Sequence, residues 1–292
     1  MLIFSNEEYG LFMIKKILLL ILLFTSTQVY GARVEVEQVN FVSNEVTLSG
    51  SLVFPEDGEI HSAVVFVHGS GKQLRNIHWA ESFAAAGIAA FVYDKRGAGE
   101  SGGVYESKQS VGEENLNLLA DDVVSALSVL VNHSRLKGVP LGLTGISQAG
   151  WIVPLAAEKA DKVDFIALWS GPVCKVSEED IFSKYTADLD DKKVPSYDEA
   201  LASRRFKYIW PDFLGKDTDS SESLAKLKIP GLWVFGENDG SVPVDLSIKR
   251  LKKLKSMGHQ YEYVLFSSLG HNNMAETFSI VTDWVKRLNK SP

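Results

Sequence analysis

The sequence has a single cysteine, Cys174, among its 292 residues. An intrachain disulfide is therefore impossible, and no cysteine follows the N-terminal apolar run to carry a lipid anchor there. The sequence also has no H-E-x-x-H motif and no cluster of cysteine and histidine at the spacing of metal ligands, so we expect no metal cofactor. We interpret Cys174 as a small buried apolar residue and not as a nucleophile.

Positive charge is scarce as well, since 30 Lys and Arg stand against 37 Asp and Glu, which gives a formal net charge of −7. A chain of this charge without long basic runs is a poor nucleic-acid binder. The densest cationic stretch, residues 249–255, has the spacing of the solvent-facing side of one helix. The predicted partner is therefore a small-molecule substrate, and the oligomeric state is left open.

Long hydrophobic runs are absent too, and the run nearest the N-terminus covers only Ile17 to Phe24. It is much shorter than the roughly 20 residues that a membrane span needs. The basic pair at 15–16 precedes it, and a polar stretch leads on to Gly31. This pattern predicts a signal peptide over residues 1–31, cleaved near Gly31, and hence an exported protein, periplasmic or secreted, with no stable membrane span. An uncleaved anchor is the alternative, and Met13 is an alternative start.

Hydrophobic residues make up 45% of the chain and charged residues 23%, which is the composition of a globular protein. Two alternating stretches, near 34–42 and 46–54, predict an antiparallel pair of strands at a sheet edge. Short continuous apolar runs then alternate with amphipathic helical patterns, the longest of which covers residues 113–132. This alternation predicts a mostly parallel sheet with helices on both faces.

The alternation stops between about 174 and 228, where charge, serine and aromatic residues are more frequent. We therefore predict a core formed by residues 32–173 and 229–292, with residues 174–228 inserted as a cap. Six aromatic residues of the cap either line a substrate pocket or pack the cap onto the core. They are Phe182, Tyr185, Phe206, Tyr208, Trp210 and Phe213.

Ser147 lies where a predicted strand turns sharply into a helix. A nucleophile in such a turn occupies a strained backbone position and needs small neighbours. Gly145 and Ser147 match the G-x-S-x-G pattern of a nucleophile elbow, with Ala149 in place of the last glycine. The N–H of Gln148, at the helix N-terminus, is predicted to face the substrate. A serine that only caps the helix is the alternative.

A glycine-rich turn, residues 68–71, follows another central strand. Turns of this kind let backbone amides converge on a developing oxyanion. We predict that the N–H of Ser70 acts there together with that of Gln148. His68 is interpreted as a structural residue that positions this loop, in preference to a catalytic base.

A candidate acid and a candidate base follow the last two predicted strands. Asp239 lies in the loop 236–243, where a carboxylate can accept the imidazole N–H. Glu237 and Asp245 are the fallback candidates, and a simple turn aspartate remains an alternative. His271 follows the last strand and completes the chain order Ser, Asp, His.

These features resemble the α/β-hydrolase fold superfamily from about Ala63 to the C-terminus. Residues 94–101 look like the D-x-R-G-x-G-x-S loop of that superfamily. Residues 147–152 look like the S-Q-G-G-W-I elbow of bacterial members near the dienelactone hydrolases and serine aminopeptidase-like hydrolases. The resemblance implies an α/β-hydrolase fold with about eight strands, antiparallel at the N-terminal edge.

The resemblance also implies a serine hydrolase that cleaves a carboxyl ester or related acyl bond of a small substrate without metal or organic cofactor. An aminopeptidase or a thioesterase on the same fold is the first alternative. An aminopeptidase needs acidic groups for the free amine, for which Glu178, Glu179 and Asp180 are candidates. A binding protein that has lost catalysis is the second alternative. Residues 97–102 also fit G-x-G-x-x-G, but a polar loop follows where a dinucleotide site needs a helix.

Overall fold

One sheet organises the protein in the computed structural model, which describes residues 34–288 apart from residues 57, 109 and 192. The predicted signal peptide, residues 1–31, lies outside the described residues. The strands are β1 (Val34–Ser43), β2 (Val46–Pro55), β3 (Ser62–Val67), β4 (Ile88–Tyr93), β5 (Leu141–Ile146), β6 (Phe165–Trp169), β7 (Gly231–Gly236) and β8 (Tyr261–Phe266). They form an eight-stranded sheet in the order β1-β2-β4-β3-β5-β6-β7-β8.

The N-terminal edge of the sheet is antiparallel. β1 and β2 pair along their whole length around a two-residue turn at Asn44 and Glu45, whose φ angles are 46° and 63°. Two positive φ angles suit such a turn because its twist then matches that of the strands. β2 pairs antiparallel with β4, and the remaining pairs are parallel. The predicted fold class is confirmed.

Helices cover both faces of this sheet, as the connections between parallel strands require. In the described part of the chain they are α1 (Ile77–Ala85), α2 (Glu113–Asn132), α3 (Ala149–Lys159), α4 (Val176–Thr186), α5 (Tyr197–Ala202), α6 (Ser220–Leu224), α7 (Val244–Ser256) and α8 (Met274–Leu288). Helices α2, α3 and α7 share one hydrophobic cluster with the sheet, and α1 with α8 share another. None of these helices is long and apolar enough to cross a membrane.

The central strand β3 shows why the sequences of the buried strands are continuously apolar. Ala63, Val65 and Val67 belong to the cluster under α2 and α3, whereas Val64 and Phe66 belong to the cluster under α1 and α8. Successive side chains of a strand point to opposite faces, and both faces are covered here. Burying each large apolar side chain stabilises the fold by roughly 1.5–3 kcal/mol.

The long amphipathic pattern predicted at residues 113–132 forms α2, with the same bounds. Glu113 and Glu114 lie in its first turn, where negative charge interacts favourably with the helix dipole. The predicted apolar stripe is buried against the sheet: Leu116, Leu119, Val123, Leu127 and Leu130. Periodicity alone therefore located this helix and its buried face.

The chain between β6 and β7 forms α4, α5 and α6, and no strand is found among its described residues. Arg250 of α7 anchors it, with Nη2 2.8 Å from Glu178 Oε1 and Nη1 3.3 Å from Asp219 Oδ1. Cys174, at its start, is buried, and burial raises the pKa of its thiol. The domain boundaries at 174 and 228 stay a prediction.

Candidate active site

The candidate residues all follow the carboxyl ends of strands in the parallel part of the sheet. Ser70 follows β3, Ser147 follows β5, Asp239 follows β7 and His271 follows β8. Parallel strands present their carboxyl ends at one edge of the sheet, which is where ligands bind in open α/β folds. The topology thus brings together residues that are far apart in sequence.

Ser147 occupies a strained turn between β5 and α3. Its φ angle is 57°, in the left-handed region that residues with a side chain rarely adopt. Its N–H donates to the carbonyl oxygen of Trp169 at 3.0 Å, and its carbonyl accepts from the N–H of Gly150 at 2.8 Å. These two hydrogen bonds hold the turn that presents the hydroxyl group.

The small residues around Ser147 are needed because three backbone segments meet there. A Cβ atom on Gly145 would lie 2.5 Å from the carbonyl oxygen of Val67 and 2.6 Å from Cβ of Ala149. A Cβ atom on Gly150 would lie 2.4 Å from Cδ of Pro172. Alanine at 149 fits the space that remains, so the departure from G-x-S-x-G leaves the turn intact.

Two backbone amides are available beside Ser147. Within the described residues, the N–H groups of Ser70 and Gln148 donate no hydrogen bond to another group of the protein. Gln148 is the N-cap residue of α3, so its N–H lies at the positive end of the helix dipole. The arrangement offers two donors to an anion, as the sequence predicts.

His271 and Asp239 form a hydrogen-bonded pair. Nδ1 of His271 lies 2.9 Å from Oδ2 and 3.0 Å from Oδ1 of Asp239, whose side chain is buried. Oδ1 of Asp239 also accepts the N–H groups of Ser241 and Val242 at 2.9 and 2.8 Å. The carboxylate is therefore fixed by its own loop and fixes the imidazole in turn.

The two fallback candidates for the acid are elsewhere. Glu237 is exposed. Asp245 accepts the N–H of Tyr197 at 3.1 and 3.3 Å, which places it at the start of α5. Of the three carboxylates considered, the structure brings Asp239 to His271.

The surroundings of His271 change its affinity for a proton. Burial lowers the pKa of the imidazole, but the hydrogen bond and charge of Asp239 raise it, with further contributions from Asp190 and Glu179. The net result is a pKa above the ordinary histidine value of 6.5. An imidazolium formed here is thus stabilised by neighbouring negative charge.

A cavity of about 510 Å³ opens beside these groups and is lined by both Ser147 and His271. Its walls carry no Asp, Glu, Lys or Arg side chain within the described residues. The other lining residues are Phe66, His68, Gly69, Ser70, Gln73, Leu74, Asn76, Trp79, Val92, Ile146, Asn272, Met274 and Ala275. The cavity suits an uncharged, partly apolar group.

The six cap aromatics do not line this cavity. Phe182 and Tyr208 pack within a small cluster of the insertion itself, whereas Phe206 and Phe213 are 83% and 68% exposed. The lining comes instead from β3, β4, the start of α1 and the loops around Ser147 and His271. Trp210 packs against the main hydrophobic core, as the packing alternative predicts for the cap.

His68 is buried in the cavity wall. Burial and the charge of Lys95 lower its pKa to about 4, so the imidazole is neutral at neutral pH. Its ring packs edge-on against Tyr93 with 4.8 Å between centroids. This contact suits a residue that positions the loop carrying Ser70. No group of three or more His, Cys, Asp and Glu side chains in the described part of the chain is placed to hold a metal ion.

Asp190 is a site residue that the sequence analysis missed. Its Oδ1 accepts the N–H of Gly240 at 3.0 Å and its Oδ2 accepts the N–H of His271 at 2.9 Å. It thereby ties the loop of the acid to the loop of the base. A Cβ atom on Gly240 would lie 2.1 Å from the carbonyl oxygen of Leu189, and one on Gly270 would lie 2.0 Å from Oδ2 of Asp190. Both glycines are needed for this close approach.

The three acidic residues suggested for an amine differ in their contacts. Glu178 binds Arg250, and Asp180 accepts hydrogen bonds from Lys184 and Tyr208. Burial, with the neighbouring acidic charges, raises the pKa of Glu179 to about 8, so this carboxyl is largely protonated at neutral pH. None of the three lines the cavity beside Ser147.

The loop at 94–101 is held by buried ion pairs. Arg75 Nη2 lies 2.8 Å from Oδ2 of Asp94, and Arg96 pairs with the fully buried Asp122. Oγ of Ser101 donates to the carbonyl oxygen of Asp94 at 2.6 Å. The next helix begins only at Glu113, so the glycines at 97–102 do not open a helix as a dinucleotide site requires.

The chain is similar to a known family and to several solved structures. A family model described as serine aminopeptidase, S33, matches residues 58–209. No curated protein sequence matches the chain.

Solved structures with a similar fold include several hydrolases. An esterase from Pyrococcus furiosus is 18% identical with a TM-score of 0.59, over 88% of this chain and 91% of that one. An acylaminoacyl peptidase from Pyrococcus horikoshii is 20% identical with a TM-score of 0.63, over 92% of this chain and 43% of that one. Acetyl xylan esterase 1 from Thermoanaerobacterium is 15% identical with a TM-score of 0.61, over 88% of both chains. At these identities the likeness shows the fold.

Proposed function

Because the chain belongs to the serine aminopeptidase (S33) family of α/β hydrolases, we propose that it cleaves a carboxyl ester or a related acyl bond of a small substrate. The observation that carries this proposal is the placement of Ser147 and His271 in the wall of one cavity, with Asp239 hydrogen-bonded to the imidazole. A hydroxyl, an imidazole and a carboxylate in this relation are the three parts of a serine nucleophile system.

In the first half of the proposed reaction, Oγ of Ser147 attacks the acyl carbon while Nε2 of His271 accepts its proton. Asp239 accepts the Nδ1–H and stabilises the imidazolium that forms. The N–H groups of Ser70 and Gln148 donate to the oxyanion, and losing one such donor typically costs about 3 kcal/mol. His271 then protonates the leaving alcohol, and an acyl-enzyme remains.

In the second half, water replaces the alcohol. His271 takes a proton from the water as its oxygen attacks the acyl carbon of the acyl-enzyme. The same two amides hold the second oxyanion, and Oγ of Ser147 leaves with the proton of His271. The products are a carboxylic acid and an alcohol, and the side chains return to their starting state.

The cavity favours substrates whose acyl part is uncharged. Phe66, Leu74 and Trp79 give it an apolar side, and none of its described walls carries a carboxylate or a cation. A free amine or carboxylate buried there would lose its hydration without gaining an ionic partner. We therefore place neutral esters ahead of aminoacyl substrates.

An aminopeptidase is the second candidate, favoured by the family description and by Glu179. The charges of His271 and Asp239 both contribute to the pKa of this carboxyl, so it lies near them. A substrate amine near it would need Glu179 to lose its proton. A thioesterase would use the same three residues and differ only in its leaving group.

Probe labelling tests the proposed nucleophile. A fluorophosphonate should label the protein at Ser147, and Ser147→Ala should abolish labelling and lower turnover of a p-nitrophenyl ester by about 10⁴-fold or more. Ser203 is exposed, so Ser203→Ala serves as the matched control. This variant should keep wild-type labelling and wild-type turnover. Labelling that survives in Ser147→Ala, with the melting temperature intact, would refute the assignment.

A substrate series tests the proposed class. Neutral p-nitrophenyl esters of graded acyl length, matching thioesters and aminoacyl anilides should be compared by kcat/KM. Neutral esters are expected to be hydrolysed fastest because the described lining of the cavity includes no Asp, Glu, Lys or Arg side chain. Faster turnover of the anilides would transfer the function to an aminopeptidase, and absence of turnover and labelling would indicate a binding protein.

We also propose that residues 1–31 are a leader removed on export, so that the mature enzyme acts in the periplasm or outside the cell. The basic pair, the short apolar run and the small residue at Gly31 support this. N-terminal sequencing of exported protein should begin near residue 32. We further propose that residues 174–228 act as a cap that supports the acid and base loops through Asp190.

A further inference from the structure

Lys95 is a buried cation beside the candidate active site. It follows β4, and the residue is 3% exposed. Its Nζ donates to the carbonyl oxygen of Gly69 and to Oε1 of Gln148, both at 2.8 Å. Both partners belong to segments that carry a proposed oxyanion donor.

Among the described residues, the ammonium group of Lys95 has no ionic partner. No carboxylate of the described residues lies within 4 Å of its Nζ, and the neighbouring Asp94 is paired with Arg75. The ring of Tyr105 lies 6.0 Å away, at the outer limit of a cation–π contact. Burial lowers the pKa of Lys95 to about 8, so the group is still mostly charged at neutral pH.

An unpaired buried charge is costly, and an apolar side chain of similar volume would avoid that cost. The charge of Lys95 is therefore poorly explained as a device for stability. Its contacts suggest a different explanation, because the carbonyl of Gly69 and the N–H of Ser70 belong to the same peptide group. A cation on the oxygen of a peptide draws electron density from its nitrogen and strengthens its N–H as a donor.

We propose that Lys95 is a positioning residue of the oxyanion hole, which polarises the Gly69–Ser70 peptide and holds it beside Gln148. The proposal rests on the function proposed above, in which the N–H groups of Ser70 and Gln148 stabilise the oxyanion. Lys95 acts through these amides and does not touch the substrate.

Lys95 also holds the side chain of Gln148. The side-chain amide of Gln148 accepts a hydrogen bond from Lys95 through Oε1 and donates one through Nε2 to the carbonyl oxygen of Ser110 at 2.9 Å. The side chain is thus held at both ends while the backbone N–H of the same residue stays available to the substrate. Lys95 links the loop after β3 to the start of α3. The distance between the N–H groups of Ser70 and Gln148, and the direction in which they point, are thereby fixed.

Because an oxyanion develops only in the transition state, loss of Lys95 should lower kcat and leave KM nearly unchanged. In Lys95→Met the chain length is kept and the charge is lost, and we expect kcat for a p-nitrophenyl ester to fall by about 10- to 100-fold. The inhibition constant of a phenylboronic acid, which forms a tetrahedral anion on the serine, should rise by a similar factor. Lys159→Met removes an exposed ammonium paired with Asp121 and should leave both quantities unchanged.

Lys95→Gln is the second variant. Its side-chain amide can still donate hydrogen bonds but carries no charge. The variant should fold and fall between the wild type and Lys95→Met in kcat. The proposal is overturned if both folded variants keep wild-type kcat, if only KM rises, or if neither variant folds. Wild-type protein without Ser147-dependent turnover would overturn the proposed function itself, which separates the two failures.

Discussion

At the scale of single residues, two carboxylates act on His271 in different ways. Asp239 binds the imidazole ring through Nδ1, whereas Asp190 binds the backbone N–H of the same residue. Both raise the pKa of the imidazole, and with the charge of Glu179 they outweigh burial, which lowers it. The neutral imidazole, which the proposed base needs, therefore predominates only when the pH is above this raised pKa.

This gives a prediction for the pH dependence. A general base must be unprotonated in the free enzyme, so kcat/KM should fall as the pH drops through the raised pKa of His271. Asp239→Asn removes the carboxylate whose hydrogen bond and charge contribute most to raising this pKa. The fall of kcat/KM on the acid side of the pH profile should therefore move to lower pH. Asp239→Asn should also lower kcat by about 10⁴-fold, because the imidazole loses its orientation and its counter-charge.

Glu237→Gln is the matched control, since this side chain lies on the same loop and is exposed. Its pH profile and kcat should equal those of the wild type. If Glu237→Gln proved more harmful than Asp239→Asn, the role of the acid would pass to Glu237.

The sequence identified Ser147, Asp239 and His271 because each follows a strand and two of them have a glycine beside them. The structure places all three after the carboxyl ends of strands and brings Asp239 to His271. Asp190 and Lys95 carried no comparable signal. One lies in an irregular insertion, and the other looks like an ordinary charged loop residue until its burial and its partners are known.

At the scale of elements, the insertion contributes to the site through the last residue of α4 and the chain that follows it. Thr186 donates to the carbonyl oxygen of Gly240, and Asp190 accepts the N–H groups of Gly240 and His271. The acid and base loops are therefore braced from outside the core.

Asp190→Ala should loosen both loops at once. Two backbone N–H groups lose their acceptor, and small displacements of a catalytic base are costly, so we expect kcat/KM to fall by about 10- to 100-fold. The pKa of His271 should fall as well, because the charge of Asp190 raises it. The pH profile of ester hydrolysis measures both effects.

Asp198→Ala serves as its control, because this aspartate is exposed in the same insertion. A variant at 190 with wild-type kinetics would show that Asp239 alone fixes the base.

The elements that could be predicted were those with a clear period. α2 has 20 residues, with buried residues from Leu116 to Leu130, and its bounds are those predicted. Two helices of the insertion are short, with five residues in α6 and six in α5. α5 packs partly on α4, so the insertion has no sustained apolar stripe that faces the sheet. Which aromatic residues face the substrate depends on how the elements pack, which periodicity does not encode.

At the scale of the whole molecule, the site depends on one sheet whose two faces are separately packed. Leu130 of α2 is fully buried on one face, and its neighbour Val131 is 45% exposed. Leu130→Ala should lower the free energy of unfolding by about 2–5 kcal/mol. Val131→Ala should change it by less than about 0.5 kcal/mol.

Urea denaturation measures this difference, and both variants should keep wild-type kcat at a temperature where they are folded. Equal losses from the two variants would contradict the orientation of α2 on the sheet.

The left-handed backbone of Ser147 lowers the thermal stability of the protein. A residue with a side chain held at such an angle costs about 1–3 kcal/mol, and a glycine at 147 would release most of that energy. The proposed nucleophile thus occupies a position where glycine would give a more stable fold. Part of the thermal stability of the protein is exchanged for the position of one hydroxyl group.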